Sequence, residues 1–197
     1  MSIEISLINA LSSLQTTVNN YTDNNAVSIG PSTGETNQGG YSVAIGSNCG
    51  NNSQGVNSVA IGRDCGITTQ GANSVAIGNY SGSTSQGDAS ISIGASSGTT
   101  SQGNRSISIG LNSGHTSQLA DAIAIGGSSG ENSQGVGTVA IGSRAGNSNQ
   151  ELNAVAIGRY AGEITQKTGA VALGESAGYT GQQTCAVAVG TGAGRTT

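Results

Sequence analysis

Tryptophan and phenylalanine are absent, proline and histidine occur once each, and five tyrosines supply all the remaining aromatic rings. A thick globular core needs such side chains, and 34 glycines in their place point away from an ordinary enzyme. Charge is scarce as well. The 6 Lys and Arg against 10 Asp and Glu give a net charge of −4, with no basic surface to draw in phosphate backbones, so nucleic acid is not expected as a partner. No apolar run approaches the roughly 18 residues of a membrane span, so membrane insertion is not expected. The start Met1-Ser2-Ile3-Glu4 lacks the basic and apolar regions of a secretory signal. Three cysteines, an odd number without close pair spacing, argue against a disulfide framework and against a zinc site.

What is present is a repeat. Aligned on Val27, sixteen-residue units begin at Val27, Val43, Val59, Val75, Ile91, Ile107, Ile123, Val139, Val155, Val171 and Val187 without insertion or deletion. The first and third places are aliphatic in every copy and all but Leu173 are β-branched, which predicts a strand with that face buried. The second place is always Ala or Ser, as if another surface lay close against the opposite face. Glycine fills the fourth place (Gly30, Gly46 and onward) and the eighth (Gly34, Gly50 and onward), predicting corners with positive φ or close backbone approach. The seventh place is Thr, Cys, Ser or Ala and reads as a second, shorter strand around a narrow core. The twelfth place is glutamine in all ten units long enough to have one: Gln38, Gln54, Gln70, Gln86, Gln102, Gln118, Gln134, Gln150, Gln166 and Gln182. Equivalent residues in stacked coils lie roughly 4.8 Å apart, so these amides are expected to form a structural ladder rather than a reactive site.

These features predict an all-β solenoid, a parallel β-roll (β-helix) of ten full and one partial sixteen-residue coils over residues 26–197. Two aliphatic side chains per coil are little burial for ordering so much backbone, which leads to the expectation that copies of the chain share a core along the small-residue face. A homotrimer is the count expected for a symmetric rod. Residues 1–25 are read as a short N-terminal coiled-coil helix, because Leu7, Leu11, Leu14, Val18 and Tyr21 follow a 4-3-4-3 spacing that makes a trimer seam. A lid folded over the first coil is the alternative for that segment, since Ile3, Ile5 and Ile8 add apolar surface off the seam.

The unit Ser-Val-Ala-Ile-Gly, intact at 42–46, 58–62 and 74–78, resembles the head repeats of trimeric autotransporter adhesins of the YadA type. The likeness covers residues 27–197 and implies a parallel β-roll with three chains side by side. A helical segment ahead of a repetitive shaft is similar to the layout of viral and phage fibres. Ala154, Val155, Ala156, Ile157, Gly158, Ala161, Gly162 and Gln166 look like the units of repeat proteins encoded by large DNA viruses. That resemblance implies a virion or extracellular surface location, with a host receptor or another virion protein as partner.

The sequence carries no pattern of reactive chemistry. His115, the only histidine, falls in the ninth place, a column so varied that it reads as a solvent-facing loop without an oriented acid. Acidic residues are scattered singly, which disfavours a calcium-binding repeat, and Lys167 follows no glycine-rich phosphate loop. No catalytic residue, cofactor or metal is therefore expected. Cys49 and Cys65 share the seventh place in adjacent units and read as stacked small core residues, with a bridge between them disfavoured by their parallel side chains. Thr recurs in the tenth place at Thr36, Thr68, Thr84, Thr100, Thr116, Thr180 and Thr196, a column that resembles an ice-binding solenoid face. Arg63, Tyr80, Arg144, Arg159 and Tyr160, in the fifth and sixth places, form a candidate recognition stripe alongside the alternative of ordinary surface variety. The reading that results is a non-enzymatic homotrimeric fibre for attachment or virion-surface structure. The alternatives are a self-assembling filament or sheath and an ice-binding solenoid.

Overall fold

A computed structural model describes residues 25–195, and the helix and seam expected within the first 25 residues lie outside this range except for Asn25. The described chain is an all-β parallel solenoid of about ten coils, each sixteen residues long. Eleven strands, from Val27–Ile29 to Val187–Val189, occupy places one to three and form one parallel sheet in strict sixteen-residue register, as in Val27↔Val43 and Val171↔Val187. Nine strands, from Asn52–Gln54 to Thr180–Gln182, occupy places ten to twelve and form the second sheet. The seventh place, expected to be a strand, sits in the turn between the two sheets. Coils stack at the spacing of a β-sheet: the Cα atoms of Cys49 and Cys65 are 4.8 Å apart.

Hydrogen bonding between coils does not stop at the strands. Gly34 N donates to Cys49 O at 3.1 Å, Asn48 N to Pro31 O at 2.9 Å and Asn57 N to Gly40 O at 3.0 Å, so the turns are laddered too. Holding the corners in that ladder demands left-handed backbone at several places per coil. The fourth-place glycines have φ between 111° and 136°, and a Cβ on Gly78 would lie 2.5 Å from the Gly94 carbonyl oxygen of the next coil, so no other residue fits. Places six, eleven and fifteen are also left-handed, with Asn48 (φ 53°), Ser53 (φ 61°) and Asn57 (φ 55°) in one coil. Ser, Asn, Asp and Gly dominate those columns because short polar side chains tolerate this conformation best, although Tyr80, Arg105 and Tyr160 adopt it as well.

The interior reverses the expectation for the first strand. The second-place residues are the buried ones, with Ala44, Ala60, Ser92 and Ala156 all at 0% exposure, while the flanking Val and Ile point outward. The physical reason is width. A sixteen-residue coil closes around places two, seven, twelve and sixteen, and with the glutamine of place twelve inside, the other three places hold nothing larger than Ala, Ser, Cys or Thr. The core changes composition along the rod. Cys49, Ala60, Cys65 and Ala76 make one apolar cluster. Serines Ser81, Ser97, Ser113 and Ser129 follow, each donating to a carbonyl of the next coil at 2.7–2.8 Å. Alanines 140, 145, 156, 161, 172, 177 and 188 make a second apolar cluster at the far end.

Candidate functional site

Because the second-place residue turns inward, places one and three of all eleven coils stand on the outer face of the first sheet. They form two parallel ladders of Val and Ile, ended by Leu173 and Val189, in unbroken register. Most of these side chains are half-buried by their own neighbours, and the residual exposure reaches 41% at Val27 and 69% at Val187. No charged residue occupies either column. The result is a narrow apolar ribbon along the whole described rod. The small-residue face, expected to meet other copies, is instead the lining of the coil.

The glutamine column lies inside, and all ten side chains are buried. Each amide nitrogen donates to the first-place carbonyl of its own coil, as Gln54 does to Val43 at 2.9 Å and Gln166 to Val155 at 2.7 Å. From Gln102 onward the amides also bond to one another, at 3.0 Å for Gln118 to Gln134, 3.1 Å for Gln134 to Gln150 and 3.0 Å for both Gln150 to Gln166 and Gln166 to Gln182. In earlier coils the pattern differs: the side-chain oxygens of Gln54, Gln70 and Gln86 are buried without a hydrogen-bond partner. At Ser92 and Ser108 the second-place hydroxyl serves that oxygen, as Ser92 does for Gln102 at 2.5 Å, whereas Ser28 donates to the Thr33 carbonyl. The eighth-place glycines make room for the column, since a Cβ on Gly82 would lie 2.7 Å from the Gln86 oxygen.

The tenth-place residues Thr68, Thr84 and Thr100 are exposed and paired in register on the second sheet, with Ile164 breaking the column. Thr196 lies outside the described residues. The ninth place is not uniformly the solvent-facing loop expected from its variety. Ser83, Asn147 and Glu163 are buried there, because the side chain turns back along the rod, as when Asn147 Nδ2 bonds the Ser128 carbonyl at 2.9 Å and Glu131 at 2.9 Å. His115 is half-buried, with Nδ1 3.0 Å from the Thr116 hydroxyl. Among the described residues no group of three His, Cys, Asp or Glu is placed to hold a metal ion.

Cys49 and Cys65 form a disulfide, contrary to the reading of them as unbridged. Their Cα separation lies inside the range a disulfide spans, and a seventh-place side chain confined to so thin an interior has only its counterpart in the next coil to turn toward. Cys185 is free and exposed.

The arginines and tyrosines of places five and six are brought together in two groups. Arg63 lies 5.6 Å from the Tyr80 ring centroid. Farther along, Arg144 and Arg159 lie 5.7 and 4.4 Å from the Tyr160 centroid, and the stripe is joined by ninth-place residues that spacing alone did not single out: Glu163, Tyr179 and Arg195. Tyr179 is pushed above the ordinary phenol range, chiefly by its hydrogen bond to the Glu163 carboxylate. On the rest of the surface, charges pair between neighbouring coils. Arg105 Nε reaches Asp121 at 2.7 Å and holds that carboxyl below its usual range, and Lys167 does the same to Glu151 at 2.7 Å. A shallow groove of about 690 Å³ crosses places eleven to fourteen of coils six to nine, between Leu119 and the Glu151–Lys167 pair, open where Gly135 has no side chain. Compared with protein-family models, with curated proteins and with solved structures, the chain matches none.

Proposed function

We propose that this chain is the shaft or head of a non-enzymatic, homotrimeric fibre on a virion or extracellular surface, serving attachment or surface structure. The observation that carries the reading is the aliphatic ribbon. Twenty-two Val, Ile and Leu side chains, two per coil, face outward along one side of the described rod. Six of them, Val27, Ile29, Ile93, Leu173, Val187 and Val189, keep 36–69% of their surface in water and the rest are half-buried, a continuous apolar strip of the kind that stable interfaces cover. A ribbon two side chains wide suits closure around an axis, where three copies exclude water from all three ribbons at once. Multivalent attachment follows from such an assembly, since three identical outer surfaces offer repeated weak contacts whose avidity exceeds any one of them.

The test is the mass of the assembly by native mass spectrometry, for the full chain and for Ile109→Lys, which places a charge in the middle of the ribbon. The expected result is a species of three times 19.1 kDa that the substitution converts to monomer. A monomeric wild type overturns the reading, and open-ended polymers favour a filament or sheath subunit instead.

A second reading has its own observation. The exposed, in-register Thr68, Thr84 and Thr100 column supports ice binding by the second sheet, and measurable thermal hysteresis in the wild type, abolished by Thr84→Lys, is its test.

A further inference from the structure

Coils eight to eleven concentrate, at one corner, chemistry that appears elsewhere on the described rod only as the single Arg63–Tyr80 pair. Three of the chain's six cationic residues, Arg144, Arg159 and Arg195, and two of its five tyrosines, Tyr160 and Tyr179, meet there. The two rings are edge to face with centroids 6.4 Å apart, and all three guanidinium groups lie within 6 Å of a ring centroid, Arg195 at 5.3 Å from that of Tyr179. Beneath them sits Glu163, only 4% exposed, with Oε1 3.1 Å from Arg144 Nε and Oε2 buried without a hydrogen-bond partner. The coil does not require a carboxylate at this place: Asn51, Ser83 and Thr99 occupy it elsewhere, and burying a charge is unfavourable unless its partners are fixed. The effect of Glu163 is to hold Arg144 in one arrangement. Arg159, by contrast, donates to the Tyr160 hydroxyl at 3.1 Å and pairs with a surface carboxylate, Glu175 at 3.3 Å, and that ion pair is more than half exposed on both sides and easily exchanged for another.

We propose that this corner is a docking site for a protein segment rich in carboxylates. Arg144 and Arg159 each spend part of their fork on Glu163, Glu175 and the Tyr160 hydroxyl, and exchanging the exposed Glu175 for an incoming carboxylate offers it a two-pronged bond beside Arg195, while Tyr with Arg is the composition that dominates binding energy at protein contacts. The shape selects a protein over a small acid: Arg144 is 52% and Arg159 59% exposed, so the corner projects to meet a surface and does not enclose a ligand. Complementarity selects an acidic one. The inference stands apart from the ribbon, because the corner is built within one chain.

The experiment measures fluorescence anisotropy of a labelled ten-residue peptide of alternating Glu and Gly at low salt. It compares the wild type with R144Q/R159Q/R195Q, and with R63Q/R105Q/K167Q, which removes the same charge elsewhere. The corner variant is expected to weaken binding about tenfold or more and the other less than about twofold, with added salt weakening both alike. Tyr160→Leu, which preserves every charge, is expected to weaken binding about threefold through loss of the stacking platform. Circular dichroism melts identify variants that remain folded, and should the corner variant unfold, the Tyr160→Leu result decides. Equal weakening by the two triple variants overturns the proposal, as does absence of binding to the wild type. Capture of heparin at this corner without the peptide also overturns it, in favour of an anionic polysaccharide.

Discussion

At the scale of single residues, the coil is held by what fits inside it. Gly78 combines φ 131° with a neighbouring carbonyl where a Cβ would sit, so Gly78→Ala is expected to destabilise the rod by about 3 kcal/mol or more, read as a lower thermal midpoint by circular dichroism. Gln70 offers the opposite kind of change. Its side-chain oxygen is buried without a partner, while Ser92 satisfies the equivalent oxygen of Gln102 from the place Ala60 occupies in the coil of Gln70. Ala60→Ser is therefore expected to stabilise by about 1 kcal/mol, checked by the same melt. The invariant glycines and glutamines were legible in the sequence because repetition isolates a position from its context: ten identical residues in ten different neighbourhoods can only answer to the coil. The left-handed places six, eleven and fifteen were less legible. Their Asn and Ser enrichment is a usable signal, but Tyr80, Arg105 and Cys185 dilute it, and the ladder of inter-coil bonds is what holds those residues there.

At the scale of elements, the period announced the first sheet and the stacked coils, but it put the second strand at the seventh place instead of places ten to twelve and did not say which side of the first strand faces in. Alternation along Val43-Ala44-Ile45 states only that the two faces differ. The rule that aliphatic residues go inside fails here because the narrow interior is already occupied by the glutamine column, so alanine, serine and cysteine fill what remains and the branched aliphatic side chains are left outside. The same narrowness turns Cys49 and Cys65 toward each other. Their disulfide joins positions 16 residues apart and restricts the unfolded chain by roughly 3 kcal/mol. Reduction is accordingly expected to lower the unfolding midpoint measured with and without dithiothreitol, and Cys49→Ser to make the midpoint insensitive to the reductant. The Arg and Tyr stripe was half visible in the sequence. Places five and six were evident, but Glu163 and Tyr179 reach it from the ninth place across neighbouring coils, and no linear spacing reports that approach.

At the scale of the whole molecule, each coil meets only the one before and the one after, through bonds that run along the axis in turns as well as strands. That arrangement has a mechanical meaning. A pull applied along the rod loads every bond between two coils together, so the rod resists stretching until one end gives way, and then loses coils one at a time. Each loss frees sixteen residues, about 55 Å of extended chain. Single-molecule force measurements are expected to show a train of extensions of about this size, with no gradual lengthening between them. Where the pull reaches the Cys49–Cys65 bond the train should shorten by one step, restored when the bond is reduced. A spike built this way would stand rigid under thermal buffeting and yet shed length in measured increments under a shear that would otherwise snap it from its base.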